Sequence, residues 1–216
     1  MKIIAINGSP REDRNTATLL KKALEGAESL GANTKLIHLY RLNYKGCISC
    51  FACKQKGGKS YGRCEVNDAL KAIFREIETA DALILGSPIY LGNITGEMQS
   101  FLERLVFPYL PYTESPTSLF PKKIHAGFIY TMGVPEALMS QAGYQQRFDA
   151  RKQTLTRIFG SGETLLCFDT LQFDDYSKFV ATRFNAEAKA ERHQQIFPQD
   201  CRKAFEMGAR FVSKDQ

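Results

Sequence analysis

Four cysteines stand close together in the first third of the chain, and three of them recur at every third residue. Cys47, Cys50 and Cys53 form a Cys-x2-Cys-x2-Cys run, and Cys64 follows after ten intervening residues. Thiolates are soft ligands that suit iron–sulfur clusters and Zn²⁺, and a cubane cluster takes four of them. The spacing leaves three chemistries open: a [4Fe–4S] cluster, a Zn²⁺ site, and free or redox-paired thiols.

A polar turn near the N-terminus is the second group of chemical interest. Residues 8–16 read Gly-Ser-Pro-Arg-Glu-Asp-Arg-Asn-Thr and lead directly into a helical pattern. The first N–H groups of a helix are unpaired and carry partial positive charge, so they form a natural phosphate site. The turn lacks the Walker and Gly-x-Gly-x-x-Gly patterns, which disfavours NTP hydrolysis and a standard Rossmann NAD site. The alternative is a capped helix that binds nothing. The side chains able to contact a phosphate are Ser9, Arg11, Arg14, Asn15 and Thr16.

A second turn region, residues 86–96, is apolar at its start and polar at its end. It reads Gly-Ser-Pro-Ile-Tyr-Leu-Gly-Asn-Ile-Thr-Gly. A planar, amphipathic heterocycle needs an apolar wall for its faces and hydrogen-bonding groups for its edge. The alternative is a plain turn with a surface tyrosine. The wall would consist of Pro88, Ile89 and Tyr90, the close backbone approach would be at Gly92, and the hydrogen-bonding groups would be Asn93 and Thr95.

Apolar runs that alternate with helical patterns predict the elements that position these groups. The central runs are continuous and apolar, as buried parallel strands require. Pro198 predicts a break between two helical pieces near the C-terminus. The predicted strands are 2–6, 34–39, 82–85, 124–130 and 164–168, and the predicted helices are 16–30, 67–79, 96–106, 144–159 and the two pieces of 181–212.

These elements predict an α/β fold, a doubly wound five-stranded parallel sheet in the order 2-1-3-4-5 with helices on both faces. Ligands of such sheets bind beyond the carboxyl ends of strands 1 and 3, where the two turns lie. We predict one domain over residues 1–216, with a Cys-rich loop (40–65), a Pro-rich loop (107–123) and a C-terminal helical extension (181–213). The Cys-rich loop follows strand 2 and should emerge at the same edge.

The composition is that of an ordinary globular protein. The chain has 216 residues, of which 44% are apolar, enough for one continuous core. No apolar stretch reaches the ~18 residues of a membrane span, and the N-terminal apolar run is too short for a signal peptide. We therefore expect a cytoplasmic protein without structural disulfides. The net charge of +6 is spread along the chain, which argues against nucleic-acid binding and suits an anionic ligand.

The two turns, together with the helix after the second, resemble a known family. The shared motifs are Asn7-Gly8-Ser9-Pro10-Arg11 with Asn15-Thr16, Ala80-Asp81-Ala82 through Gly86-Ser87-Pro88-Ile89-Tyr90, and Thr95-Gly96 with Phe101-Leu102-Glu103-Arg104. In this order and spacing they resemble the flavodoxin-like NADPH-dependent FMN reductases and, within that family, the iron–sulfur flavoproteins. The second half of the chain matches loosely.

The resemblance implies FMN contacts at three places and a metal site at a fourth. The family's cluster motif has the same cysteine triad but an earlier fourth cysteine, so the ten-residue insertion 54–63 departs from it. A flexible loop of that length closes at modest entropic cost. The implied residues are Ser9, Arg11, Asn15 and Thr16 for the phosphate; Pro88, Ile89, Tyr90, Leu91, Gly92 and Asn93 for isoalloxazine and ribityl; Thr131, Met132 and Gly133 for a third contact; and Cys47, Cys50, Cys53 and Cys64 for a [4Fe–4S] cluster.

The expected function is FMN-dependent oxidoreduction, with NAD(P)H or a reduced ferredoxin as electron donor. Flavin itself carries such chemistry, so we expect no catalytic side chain. Two alternatives stay open: a non-enzymatic flavodoxin-like electron carrier, though such carriers are typically acidic, and a Zn-stabilised interaction protein. The resemblance also implies a homodimer or homotetramer. The Pro-rich loop, with Tyr109 and Tyr112, would be an interface element or a lid over the flavin.

Overall fold

A single sheet of parallel strands, flanked by helices, organises the chain. The computed structural model describes residues 1–114 and 117–213. The strands are β1 (Lys2–Asn7), β2 (Asn33–His38), β3 (Ala82–Tyr90), β4 (Asn93–Ile94), β5 (His125–Thr131) and β6 (Glu163–Cys167). The helices are α1 (Asn15–Glu28), α2 (Ala69–Thr79), α3 (Gly96–Val106), α4 (Tyr144–Phe159), α5 (Ala186–Gln195) and α6 (Phe197–Ser213). In the described part of the chain, no helix is long and apolar enough to cross a membrane.

The strand order is β2-β1-β3-β5-β6, and all neighbours in this row are parallel. Ala5 of β1, for example, is aligned with Leu36 on one side and with Ile84 on the other. Apart from the short β4, this is the order 2-1-3-4-5, so the predicted doubly wound topology is confirmed. The sheet has a sixth strand because β3 continues past Leu85 and pairs with β4.

A tight hairpin between β3 and β4 occupies most of the turn region predicted over residues 86–96. Ile89–Tyr90 pairs antiparallel with Asn93–Ile94. The two residues between them have positive φ, 48° at Leu91 and 78° at Gly92. Positive φ at both central residues is the geometry of a two-residue hairpin turn. It suits Gly92 and strains Leu91.

Helices cover both faces of the sheet and bury a separate core on each. α1 and α6 pack on the face that carries Ile3, and α2, α3 and α4 pack on the face that carries Ile4. Successive residues of a strand point to opposite faces, so each of the five parallel strands contributes to both cores. Cys167 is fully buried in the core that contains Ile3, and Cys201 is half-buried at the edge of that core.

The C-terminal helical extension needs a correction at its start and at its break. Helix begins at Ala186 rather than at residue 181, and α5 ends before Ile196. Pro198 lies in the first turn of α6 instead of between the helices. A proline is tolerated there because the first N–H groups of a helix have no intrahelical acceptor.

The Pro-rich loop is also partly different from the prediction. Tyr109 is only 3% exposed, packs edge-on against Phe120 and donates to Glu78 Oε1 at 2.9 Å. It is a core residue, so of the two tyrosines only Tyr112, which is 73% exposed, lies at the surface. Pro116 lies outside the described residues.

Candidate functional site

The polar turn after β1 is shaped by hydrogen bonds between side chains and backbone. Asn7 is buried; its Oδ1 accepts from Ser9 N at 3.0 Å and its Nδ2 lies 2.9 Å from His38 Nδ1. Ser9 Oγ in turn accepts from Arg11 N at 3.1 Å. Local bonds of this kind satisfy backbone groups where the strand ladder ends. The path of the turn is therefore fixed by its own residues.

The polar turn is also fastened to β3 and α3. Gly8 N donates to Gly86 O at 2.8 Å, and Gly8 O accepts from Thr95 Oγ1 at 2.6 Å. A Cβ on Gly8 would stand 2.8 Å from Met98 Cβ, so this close approach requires glycine. Thr95 Oγ1 also accepts from Met98 N, which caps α3. The two turn regions thus meet at the carboxyl edge of the sheet.

The N-terminus of α1 forms a positive end of the site. The helix begins at Asn15 with no side-chain cap and no acidic residue in its first turn. Its unpaired N–H groups carry partial positive charge, to which Arg11 and Arg14 add two guanidinium groups. Thr16 Oγ1 lies 2.7 Å from Thr131 Oγ1 and so joins the helix to the end of β5. This arrangement suits an anionic group such as a phosphate.

A segment that follows β6 packs against this positive end. It supplies oxygen atoms to three side chains of the polar turn. The hydrogen bond from Arg14 lowers the pKa of the Asp174 carboxyl. The contacts are Asn15 Nδ2 to Leu171 O (2.8 Å), Arg11 Nη1 to Gln172 O (2.6 Å) and Arg14 Nη2 to Asp174 Oδ2 (2.6 Å).

One cavity brings together ten of the thirteen residues predicted to contact FMN. Three separate segments contribute: the turn after β1, the end of β3, and the end of β5 with the two residues that follow it. Polar donors lie on the α1 side and apolar side chains on the β3 side. The ten residues are Ser9, Arg11, Asn15, Thr16, Pro88, Ile89, Tyr90, Thr131, Met132 and Gly133.

The other three predicted residues, Leu91, Gly92 and Asn93, form the β3–β4 turn and do not line this cavity. Side chains of α4 bind the turn instead. Arg147 donates to Gly92 O, and Arg151 donates to Asn93 Oδ1. The Leu91 side chain is fully exposed. Contact of these three residues with a flavin stays a prediction.

Residues 170–172 also line the cavity, although the sequence did not predict them as site residues. No motif marks them, and the only available signal is that the fifth parallel strand ends at the same edge. Within the described residues Gln172 Oε1 is buried without a hydrogen-bond partner, and the side chain lies against Gly133. A buried oxygen without a partner indicates a missing donor. The imide and hydroxyl groups of FMN are such donors, so the residues present fit this cofactor.

The four cysteines of the Cys-rich loop line one small cavity. Cys53 is buried, Cys64 is half-buried, and Cys47 and Cys50 are exposed. All four thiols are free. The structure therefore brings the predicted ligand set to one place.

The backbone of the Cys-rich loop is strained beside the second cysteine. Ser49 and Phe51, which flank Cys50, both have a φ of 55°. A left-handed conformation costs non-glycine residues about 1–3 kcal/mol each and concentrates at functional sites. The strained loop is consistent with a binding role for the cysteine run.

The insertion 54–63 folds back on itself, so that its ends meet. Gly62 N donates to Cys53 O at 3.0 Å. Two turns lie between them, with Gly58 N bonded to Gln55 O at 3.0 Å. The longer spacing therefore does not carry the fourth cysteine away from the triad.

No group of three or more His, Cys, Asp or Glu side chains in the described ranges is arranged to hold a metal ion. The four thiols nevertheless line one small cavity, and thiolates are ligands that suit both Zn²⁺ and an iron–sulfur cluster.

The sheet order and the ligand turns at the point where the winding reverses define a flavodoxin-like α/β protein. The family model described as NADPH-dependent FMN reductase matches residues 1–152. The chain belongs to the NADPH-dependent FMN reductase family.

Curated relatives named iron–sulfur flavoproteins are similar to part of this chain. One from Methanocaldococcus jannaschii is 35% identical over 104 residues, which are 48% of this chain and 51% of the relative. One from Archaeoglobus fulgidus is 33% identical over 150 residues, or 68% of this chain and 61% of the relative. The chain thus spans about half to three-fifths of the length of the curated relatives it matches.

Solved structures resemble this one over nearly the whole chain. An NAD(P)H:quinone oxidoreductase from Methanothermobacter marburgensis superposes with a TM-score of 0.71 at 15% identity, covering 97% of this chain and 98% of the other. An FMN-dependent NADH-azoreductase from Bacillus anthracis reaches 0.66 at 12% identity, covering 99% and 100%. At these identities the likeness shows the fold.

Proposed function

We propose that the protein is an FMN-dependent oxidoreductase that takes electrons from NAD(P)H or from a reduced ferredoxin. The observation that carries the proposal is the cavity at the carboxyl edge, where the donors of the polar turn face an apolar wall from β3. Such a cavity selects an elongated ligand with an anionic end and a planar, amphipathic end. Membership of the NADPH-dependent FMN reductase family supports the same conclusion.

The proposal divides the cavity into a phosphate end and a ring end. The N-terminus of α1 and the guanidinium groups hold the phosphate, and the apolar residues of β3 shield the ring from water. Bound FMN supplies the redox chemistry, accepting electrons in pairs or singly. The assigned residues are Ser9, Arg11, Asn15 and Thr16 for the phosphate, and Pro88, Ile89, Tyr90, Thr131, Met132 and Gly133 for the ring and ribityl chain.

Spectroscopy under anaerobic conditions tests the proposal. We expect the cofactor-depleted protein to take up FMN at micromolar concentration, NADPH to bleach the flavin absorbance, and a quinone to restore it. A protein that stays colourless with added FMN contradicts the proposal. FMN uptake without reduction by NADPH, but with reduction by ferredoxin, assigns the ferredoxin as donor.

We propose further that Cys47, Cys50, Cys53 and Cys64 hold a [4Fe–4S] cluster. The shared cavity supports this, as do the names of the curated relatives. Iron and sulfide are to be measured after anaerobic purification and reconstitution. About four of each per chain is the expected result, and their absence after reconstitution rejects the cluster.

The proposed setting is the cytoplasm, and the proposed state is a homodimer or homotetramer. All six cysteines are free, as suits a reducing compartment. Phe51, Phe107 and Tyr112 form an aromatic patch between the Cys-rich and Pro-rich loops, with ring centroids 6.1 and 6.0 Å apart. Exposed apolar patches commonly mark interfaces. Sedimentation velocity is expected to show an oligomer that Tyr112→Glu weakens, and a monomeric wild type contradicts this assignment.

A further inference from the structure

Arg104, near the end of α3, is a fully enclosed cation that contacts the fourth cysteine. It is 2% exposed, and its Nε donates to Cys64 Sγ at 3.4 Å. Its two terminal nitrogens donate to Asp68, at 2.5 Å to Oδ2 and 2.9 Å to Oδ1. Nη1 also donates to Lys45 O at 2.9 Å. One side chain thus joins both ends of the Cys-rich loop to α2 and α3.

The orientation of the guanidinium group is set by its carboxylate partner. Guanidinium is planar and its donors form a rigid fork. Once Asp68 holds both terminal nitrogens, the direction of the Nε–H bond is fixed, and it points at Cys64. Asp68 is itself immobilised, because it caps α2 by accepting from Leu70 N at 3.0 Å. The donor at the cysteine is therefore preorganised.

The helix that carries this donor begins at the flavin side of the molecule. Thr95 caps α3 and bonds to the polar turn at Gly8, whereas Arg104 lies in the last turn of the same helix. A helix rises about 1.5 Å per residue, so the nine steps between Thr95 and Arg104 span roughly 14 Å. α3 is a rigid spacer between the two candidate sites.

We propose that Arg104 is the positioning residue that holds Cys64 as the fourth thiolate of the cluster, and that its charge favours the reduced cluster. The inference rests on the cluster assigned under the proposed function. It explains how a cysteine separated from the triad by ten residues can still serve as a ligand, since the contact comes from α3 rather than from the loop. An added electron is stabilised by a nearby, enclosed positive charge.

Two substitutions of Arg104 distinguish its role in positioning Cys64 from the effect of its charge on the cluster. Arg104→Lys keeps the charge and loses the fork, whereas Arg104→Gln loses both. Lys71, another cation beside a cavity that Cys64 lines, gives the matched control Lys71→Gln. The protein is reconstituted anaerobically, and iron, sulfide and FMN per chain, the electron paramagnetic resonance spectrum and the midpoint potential are measured.

We expect both Arg104 variants to hold FMN but to lose iron, from about four towards three per chain, with the spectrum of a three-iron cluster. In Arg104→Gln the remaining four-iron cluster should have a lower midpoint potential. A tenfold change in the reduction equilibrium corresponds to 59 mV for one electron. Arg104→Lys should keep the midpoint potential near that of the wild type. The control Lys71→Gln should keep both the iron content and the midpoint potential of the wild type.

The outcome that overturns the inference is an FMN-loaded Arg104→Gln protein with the iron content and potential of the wild type. If Arg104→Gln fails to fold, because Asp68 is left without its partner, the double variant Asp68→Asn/Arg104→Gln removes both charges, so its net charge is unchanged and the iron content alone decides: four irons per chain would overturn the inference. A wild type that takes up FMN but never iron overturns both this inference and the cluster, while the flavin assignment stands.

Discussion

At the scale of single residues, Arg11 is the clearest test of the phosphate end. Its exposed bond to Gln172 O should add little to stability, because surface interactions rarely exceed about 0.5 kcal/mol. A charged hydrogen bond to a phosphate is worth about 1.5–3 kcal/mol. We therefore expect Arg11→Gln to weaken FMN binding roughly 10–100-fold, with little change in riboflavin binding or in Tm.

Isothermal titration with FMN and riboflavin measures this difference directly. Arg75→Gln, which removes an exposed cation of α2 outside the cavity, is the matched control and should leave both affinities unchanged. Equal losses for FMN and riboflavin would mean that Arg11 supports the turn rather than the phosphate.

Asp68 predicts how the stability of the cysteine region depends on pH. Burial alone would raise the pKa of this carboxyl, but the hydrogen bonds from Arg104 and Leu70 N outweigh it, so the pKa is lowered. A group with a lowered folded pKa stabilises fully above its unfolded pKa and loses this contribution as the pH falls through the folded value. Asp68→Asn should thus lower the free energy of unfolding by about 3 kcal/mol at pH 7. The loss should become progressively smaller below about pH 4.

Urea unfolding of the wild type and of Asp68→Asn between pH 7 and pH 3 checks this prediction. Asp174 has a lowered pKa as well, through Arg14, but its pair is exposed, so Asp174→Asn serves as a control with little effect at any pH. A difference between wild type and Asp68→Asn that stays constant down to pH 3 would contradict the assignment.

At the scale of elements, α1 and α6 cross closely at two glycines, and this crossing supports the site. A Cβ on Gly208 would lie 1.7 Å from Ala23 O, and one on Gly26 would lie 1.9 Å from Phe205 O. Both clashes are with backbone, which cannot move aside. Gly208→Ala should therefore push α6 off α1 and destabilise the protein by about 1–3 kcal/mol or more, and FMN binding should weaken because α1 carries the phosphate end.

Thermal unfolding and FMN titration of Gly208→Ala measure both effects. The control is Gly96→Ala at the start of α3, where a Cβ meets nothing within 4 Å and alanine suits the helix. Comparable stability of the two variants would show that the crossing tolerates a wider separation.

The bounds of elements that begin or end at a capping residue could be predicted from the sequence. The bounds of a strand that depend on its pairing with a distant strand could not. α3 and α4 have the predicted bounds, since Thr95 caps one and Gly160 follows the other. β3 is longer than predicted, because Ser87 and Pro88 read as turn residues yet pair with β5. Tertiary pairing there overrides local propensity.

The candidate site shows the same division. The residues after β1 and along β3 carry motifs and could be named in advance. Residues 170–172 carry none, and they reach the cavity only because β6 ends beside β5. Gln172, whose buried oxygen lacks a partner among the described residues, could be found only once the chain was folded.

At the scale of the whole molecule, the site depends on segments distant in sequence, from the turn after β1 to the segment after β6. A ligand that binds only when all of them are in place must stabilise the entire fold. FMN at a concentration of about 100 times its dissociation constant should raise the free energy of unfolding by about 2.7 kcal/mol. For a domain of this size, 1 kcal/mol shifts Tm by about 2–4 °C, so we expect a rise of about 5–10 °C.

Differential scanning calorimetry of the iron-free protein with FMN, with riboflavin and without ligand tests this expectation and isolates the flavin site from the cluster. Riboflavin lacks the phosphate, so at equal concentration its shift should be smaller, and Arg11→Gln should bring the FMN shift down towards that of riboflavin. FMN that binds to the protein but leaves Tm unchanged would show that the unfolded chain binds it equally well, because any ligand specific for the folded state raises Tm. That result would contradict a flavin site that exists only when these segments are assembled.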